Sequence, residues 1–242
     1  MTTTTRPVSP RLRELLDAAV GVVAESGLRG LTHRAVDAAA GLPQGTCSAY
    51  LRTRLALLTA LAQHVATRLE RDIAALSKRI ADHPGDHAYA ADQTTALFAA
   101  WLRDRDVLVC RLELAVAAAH LPDVAEVFSA WRQRLVDVVA DTVMTGDEES
   151  CRTRAETLAA ALDGVLMSAV LRPSRGRRAY LLRTVSTLIT ALGTAETGPL
   201  PDHDGQRGGP GGHPGDAPSA RGGAAGAARS GAHGSTRPDG PR

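Results

Sequence analysis

The sequence is poor in aromatic residues and lacks any long apolar run. Phe, Trp and Tyr together make up 3% of its 242 residues, which disfavours strand-rich folds because these depend on aromatic and β-branched side chains. No apolar run approaches the roughly 18–20 residues that span a bilayer, and the opening MTTTTRPVSPR has no apolar core of the kind a signal peptide requires. We therefore expect a helical protein that stays in the cytoplasm.

Cysteine is also scarce. Cys47, Cys110 and Cys151 are widely spaced, odd in number and without any C-x-x-C pair, which argues against a disulfide framework or a zinc finger. We interpret them as small apolar packing residues; a redox-sensing Cys47 is the alternative.

Sequence patterns typical of catalysis are missing too. There is no Gly-rich phosphate loop, no G-x-S-x-G and no H-E-x-x-H. His83 and His87 are four residues apart, but Pro84-Gly85 between them spoils the helical geometry that a metal site would use. We expect no catalytic residue, no metal and no cofactor, and hence no enzyme.

Positive charge is concentrated near the N-terminus. Residues 1–54 carry seven arginines and four acids, whereas residues 55–196 carry 16 bases and 18 acids. A basic small domain joined to a near-neutral larger one suits a polyanionic partner on one side only.

Between Pro10 and Ala195 the apolar residues recur with a helical period, interrupted at helix-stop signals. The pattern predicts an all-α fold of about nine helices: 10–26, 32–40, 43–51, 53–81, 88–103, 105–120, 122–144, 150–171 and 175–192. Gly27 is predicted to end the first helix in the left-handed cap position. From residue 196 to 242 Gly and Pro dominate, so we expect a disordered tail.

The stretch from Thr32 to Leu51, THRAVDAAAGLPQGTCSAYL, is the most informative. Two short helices joined by a tight turn that contains Gly are typical of a helix-turn-helix, whose second helix lies in the major groove of DNA. The predicted inward contacts are Val36, Ala40, Leu42, Cys47 and Tyr50. Gln44, Thr46, Ser48 and Ala49 are left on the outer side of the second helix, where they offer donors and acceptors to base edges.

The segment from Arg11 to about Gln63, in particular LLDAAVGVVAESGLRGLTHRAVDAAAGLPQGTCSAYLRTRLALLTAL, resembles the N-terminal domain of TetR/AcrR transcriptional regulators. The shared features are an amphipathic helix, a Gly turn, a Thr-led helix, A-G followed by an apolar residue, and G-T before an aromatic residue. The resemblance implies a homodimer in which a three-helix DNA-binding domain (10–63, with the helix-turn-helix at 32–51) precedes a helical ligand-binding and dimerisation domain (64–195). Residues 1–9 would form a flexible basic arm.

The resemblance further implies which residues meet DNA. Thr32, Thr46, Tyr50 and Arg54 would touch phosphates or lie beside them, and Gln44, Gly45 and Ser48 would lie nearest the bases; Arg34 and Arg52 complete the candidate surface. Asp37 departs from the family pattern, in which a small residue is usual. An acid there must point outward or find a partner such as Arg34 or Arg52.

The later helices supply the candidates for sensing and dimerisation. Aromatic walls with a few polar groups make a binding site, so the predicted ligand-pocket residues are Phe98, Trp101, Cys110, Glu113, Phe128, Trp131 and Met167. Apolar stripes on the last two helices predict a dimer interface through Leu158, Leu162, Val165, Leu181, Val185 and Leu188. The alternative is that both helices only close the monomer core.

The function expected from these patterns is that of a sequence-specific regulator, a repressor that leaves a palindromic operator when an unidentified small-molecule effector binds. Its cellular location would be the cytoplasm, in association with the nucleoid through DNA. A second reading is an all-helical interaction or ligand-buffering protein that has lost DNA binding. Salt-dependent retention on DNA separates the two.

Overall fold

The computed structural model describes residues 9–194, and every regular element in this range is an α-helix. Their bounds are α1 Pro10–Gly30, α2 His33–Ala39, α3 Thr46–Tyr50, α4 Arg54–Ala81, α5 His87–Arg103, α6 Asp106–Ala118, α7 Pro122–Val143, α8 Glu148–Val170 and α9 Arg177–Gly193. The arm at residues 1–8, with Arg6, and the tail from residue 196 lie outside the described residues.

Side-chain caps fix several of the predicted helix starts. The hydroxyl oxygens of Thr32 and Thr53 accept hydrogen bonds from the backbone N–H groups of Ala35 and Ala56, at 3.1 and 3.0 Å. Asp147 caps α8 in the same way through the N–H of Ser150, at 2.9 Å. Each cap satisfies one N–H that the first helical turn leaves without a partner, which is why these residues mark helix starts in the sequence.

Two predicted helix boundaries, the end of the first helix and the start of the third, need correction. Gly27 has φ +65° as expected, but its ψ of −177° lies outside the left-handed helical region, and a short helical turn follows it up to Gly30. The predicted helix 43–51 is shorter in the structure, where α3 begins only at Thr46 because Gly45 takes a positive φ of +92°. Gln44 therefore lies in the turn that precedes α3 rather than on the helix.

The helices enclose two hydrophobic clusters. The first joins α1–α4 with α6 and the first half of α7, and the second joins α5, α8 and α9 with the C-terminal halves of α4 and α7. Trp101 and Leu135 pack against both clusters. The first cluster crosses the expected domain boundary at residue 63, since α6 packs along α1. The division into 10–63 and 64–195 therefore describes proposed roles and not separate cores.

Within the described residues, no helix is both long enough and apolar enough to cross a membrane.

Candidate DNA-binding surface and ligand cavity

One face of α2 holds both ends of α3. His33 and Asp37 are four residues apart and so share a helical face. The Asp37 carboxylate accepts hydrogen bonds from the backbone N–H groups of Gly45 and Cys47, at 2.8 and 2.7 Å. At the other end, the Nε2 of His33 lies 2.6 Å from the carbonyl oxygen of Leu51 and donates to it. The short α3 is thus fixed to α2 by polar contacts at its start and at its end.

The position of Asp37 differs from both expectations for it. The side chain is 1% exposed, so it does not point outward, and its partners are backbone N–H groups and not Arg34 or Arg52. A buried carboxylate that accepts two N–H groups at the start of a helix is well placed, because those groups have no partner within the helix. The acid that departs from the family pattern therefore acts as the cap of α3.

Arg54, the first residue of α4, contacts the connection between α1 and α2. Its guanidinium donates to the carbonyl oxygen of Leu28 at 2.5 Å and to that of Leu31. Arg54 is also a predicted phosphate contact, but its guanidinium already makes these two hydrogen bonds. Arg34 and Arg52 are exposed, and neither has a hydrogen bond or ion pair to another described residue.

The outer side of the helix-turn-helix is exposed and carries positive charge only. Gln44, Gly45, Ser48 and Tyr50 are exposed, and Thr46 is half-buried. The expected inward contact of Tyr50 is wrong, since 46% of its surface is accessible, which leaves the phenol free for a partner. Residues 29–54 contain four arginines and a single acid, Asp37. Because that acid is buried, a polyanion approaching this side meets no exposed carboxylate within the segment.

Cys47 faces inward from α3 and is fully buried. Burial raises the pKa of its thiol to about 11, and the neighbouring Asp37 carboxylate adds to the rise. Almost all of this thiol is protonated at neutral pH, which supports the packing interpretation over the redox one because the thiolate is the reactive form.

A cavity of about 90 Å³ lies between the two hydrophobic clusters. It is several times larger than the roughly 10–15 Å³ that hold one water molecule. Helices α4 to α9 all contribute to its wall, which is almost entirely aliphatic and aromatic. Of the predicted pocket residues, Phe98, Trp101 and Trp131 border it.

The other four predicted pocket residues lie elsewhere. Cys110 is buried in the first cluster, and Phe128 packs against that cluster. Met167 is 47% exposed on α8. Glu113 is exposed and reaches α1, where its carboxylate lies 3.4 Å from the backbone N–H of Leu28. Helical spacing alone does not distinguish these positions, because each helix presents different faces to the cavity, to a cluster and to solvent.

Sequence patterns missed the two charged residues of the cavity wall. Arg111 on α6 and Asp163 on α8 border the cavity, and their side chains form an ion pair at 3.1 Å. Arg111 is 8% exposed, and its guanidinium lies over the ring of Trp131, 5.4 Å from the ring centre. The sequence did contain a sign that Arg111 faces inward, because Arg111 falls within an apolar stripe. Val107, Cys110 and Leu114 share the inward face of α6 with it.

Four of the six predicted dimer-interface residues are buried in the monomer core. Leu158, Leu181 and Val185 are at most 1% exposed, Val165 is buried, Leu162 borders the cavity and Leu188 packs against the second cluster. The four buried side chains are covered within one chain, whereas Leu162 and Leu188 are half-buried and stay partly accessible to a partner. The apolar surface that α8 and α9 leave exposed consists of other residues, namely Met167, Leu171 and Leu182, at 47, 82 and 40% exposure.

A family model described as "Tetracyclin repressor-like, C-terminal domain" matches residues 85–191. Among solved structures, a transcriptional regulator from Rhodococcus sp. Rha1 is 23% identical, with a TM-score of 0.64 over 76% of this chain and 96% of that one. A TetR-family member from Streptomyces coelicolor A3 is 26% identical, with a TM-score of 0.60 over 74% and 98%. The multidrug binding protein EbrR in complex with imidazole is 26% identical, with a TM-score of 0.57 over 75% and 96%. No curated relative matches the sequence.

Proposed function

We propose that this chain is a member of the TetR family of transcriptional regulators, a repressor that binds a palindromic operator as a homodimer and leaves it when a small organic molecule occupies the cavity. The observation that carries the proposal is the helix-turn-helix held by His33 and Asp37, which presents an exposed outer side without any exposed acid.

In the proposed DNA complex the residues divide into two groups. Gln44 and the backbone at Gly45 in the turn before α3, together with Ser48 on α3, are exposed and meet base edges, since an amide side chain pairs with base edges in a sequence-dependent way. Thr32, Thr46, Tyr50, Arg34 and Arg52 meet phosphates and set the register. Thr53 at the start of α4 adds a hydroxyl proton that its capping bond leaves unused, because in that bond the oxygen is the acceptor.

The proposed dimer uses the apolar surface that remains exposed on α8 and α9. Met167 lies on α8 and Leu171 directly follows the helix, four residues later, and Gly164, one turn before Met167, has open space around it. Small and apolar residues on such a face allow close packing of helices from two chains. Replacing Met167 and Leu171 together by Glu is expected to give a folded monomer in sedimentation, and a dimer of unchanged affinity would contradict this interface.

The proposed effector site is the cavity lined by Trp101 and Trp131. Structures of EbrR, which has the same fold, contain imidazole, proflavin, ethidium or malachite green. This likeness, together with the cavity between the two clusters, supports an organic ligand for this chain. The cavity wall includes α6, which also packs along α1 of the DNA-binding end. Occupation of the cavity therefore acts on a helix that contacts both regions.

The proposal is tested by selecting binding sites from a pool of random duplexes with the full chain. We expect enrichment of one sequence with two-fold symmetry, because each subunit of a dimer reads one half-site. Gln44→Ala in the same selection should relax the preference at matching positions of both half-sites. No enrichment by a protein that is folded by circular dichroism would contradict the proposal and favour an interaction or ligand-buffering protein.

A further inference from the structure

The charges on the cavity wall do not balance. Arg111 and Asp163 are its two charged residues in the described part of the chain. Asp163 also accepts from Arg132, whose Nη1 lies 2.7 Å from its second carboxylate oxygen. One carboxylate is thus shared by two guanidinium groups, and the cluster has a net charge of +1. The side chains of Arg132 and Asp163 are 33 and 34% exposed, whereas that of Arg111 is 10% exposed, so water screens the charge of Arg111 less than the charges of the other two.

Arg111 has more donors than partners. A guanidinium carries five N–H donors, but among the described residues its contacts are one ion pair with Asp163 and the face of the Trp131 ring. The residue is more than nine-tenths buried. None of its nitrogen atoms is among the fully buried atoms that lack a partner, so its remaining donors stay accessible, and an occupant that supplies acceptor oxygens can reach them.

Other polar groups of the wall are already paired. The hydroxyl of Thr142 donates to the carbonyl of Val138 at 2.6 Å and lies 3.0 Å from the hydroxyl of Ser77, which donates to it. Thr94 donates to the carbonyl of Ala90 at 2.8 Å. These hydroxyls therefore need no hydrogen bond from a ligand.

The two tryptophans of the cavity wall differ in whether the indole N–H has an acceptor. The indole N–H of Trp101 donates to Asp72 at 2.9 Å, whereas the buried indole N–H of Trp131 has no acceptor among the described residues. Donors that lack an acceptor are therefore found together on Arg111 and on the ring stacked against it.

We propose that the effector is an apolar molecule with one anionic head group, such as a carboxylate, which pairs with Arg111 while its hydrocarbon part fills the rest of the cavity. A carboxylate matches the planar geometry of a guanidinium and forms two parallel hydrogen bonds with it. It also neutralises the net charge of the cluster, whereas a cationic ligand meets that charge with no unshared carboxylate on the wall. This assignment rests on the proposed function, in which the cavity is the effector site.

The test uses three six-carbon probes that differ in head-group charge: hexanoate, hexanol and hexylammonium. Trp101 and Trp131 are the two tryptophans of the chain and both border the cavity, so tryptophan fluorescence reports binding without DNA. We expect hexanoate to bind at least about tenfold more tightly than either other probe, a difference readily resolved in titrations. Equal affinities, a preference for hexylammonium, or no binding of any probe at millimolar concentration would overturn the assignment.

Variants show whether Arg111 is the residue responsible. Arg111→Met keeps much of the side-chain volume, leaves Asp163 paired with Arg132, and should bring hexanoate down to the affinity of hexanol. Arg134→Met is the matched control, since it removes an arginine from α7 that pairs with Glu70 and does not border the cavity; the preference for hexanoate should persist. A preference that survives in Arg111→Met would overturn the role of Arg111. Where Arg111→Met fails to fold, the probe series on the unmodified chain decides alone.

Failure of this assignment and failure of the proposed function give different results. The probe titrations contain no DNA, so a chain that selects an operator but ignores head-group charge refutes only the ligand class. A chain that prefers hexanoate but selects no DNA sequence refutes the regulator and keeps the ligand class.

Discussion

The two ends of this molecule are stabilised in different ways. The helix-turn-helix is held by side chains that bond to the backbone: Asp37 and His33 fix α3, and Arg54 fixes the connection between α1 and α2. The cavity end is held by apolar packing that leaves a space of about 90 Å³ beside the ion pair of Arg111 and Asp163. A surface that reads bases needs side chains at fixed positions, whereas a site that senses a molecule needs room. The difference in packing follows the difference in proposed role.

Removing the carboxylate of Asp37 should have the largest effect on stability and DNA binding, because this carboxylate fixes the start of α3. Asp37→Ala removes the acceptor of the Gly45 and Cys47 backbone N–H groups, of which that of Cys47 is buried, and should lower the free energy of unfolding by about 1–3 kcal/mol. Operator binding should be lost in the same variant. Chemical denaturation and fluorescence anisotropy with labelled operator measure the two effects.

Asp37→Asn is the control, since it keeps an acceptor oxygen of the same size and should retain part of the stability. If Asp37→Ala unfolds at the same denaturant concentration as the unmodified chain, polar contacts do not hold α3.

Arg52 and Arg54 flank the capping residue Thr53, but only Arg54 makes hydrogen bonds to other described residues. Arg54→Met removes the bonds to Leu28 and Leu31 and should cost about 1–3 kcal/mol of stability. Arg52→Met should leave stability unchanged, because Arg52 is exposed and contacts no described polar group. It should weaken binding to all duplexes alike and lower the salt slope by about one unit per subunit, since one phosphate contact is lost. Equal stability of the two variants would show that the contacts of Arg54 contribute nothing.

The smallest expected effects come from replacing a valine by the larger isoleucine, once at the cavity and once in the helix-turn-helix. Val139 borders the cavity, so the extra methylene of Val139→Ile has room, and stability should change by less than about 1 kcal/mol. Val36 is fully buried in the helix-turn-helix, where the same change overpacks the core and should cost about 1–3 kcal/mol. Equal costs at both positions in thermal or chemical unfolding would mean that the two ends are packed alike.

The sequence was a good guide to helices and a poor one to inward-facing polar groups. Caps such as Thr32 and Thr53 act within one helical turn, so local spacing located the starts of α2 and α4. Arg111 and Asp163 are far apart in the chain, and Asp37 bonds to the next helix rather than to its own, so spacing within one helix does not assign their partners. The exposure of Tyr50 and the burial of Leu158 and Leu181 have the same origin, because a helical stripe shows that a face is apolar but not what covers it.

The regulator proposal is tested most directly by the affinity of the full chain for its selected duplex and for a scrambled duplex, measured by anisotropy at several salt concentrations. We expect the selected duplex to bind roughly 10³-fold or more tightly at physiological salt, with both affinities falling as salt rises. Equal affinity for the two duplexes at every salt concentration would contradict the account, since it would mean that the exposed start of α3 does not read DNA sequence.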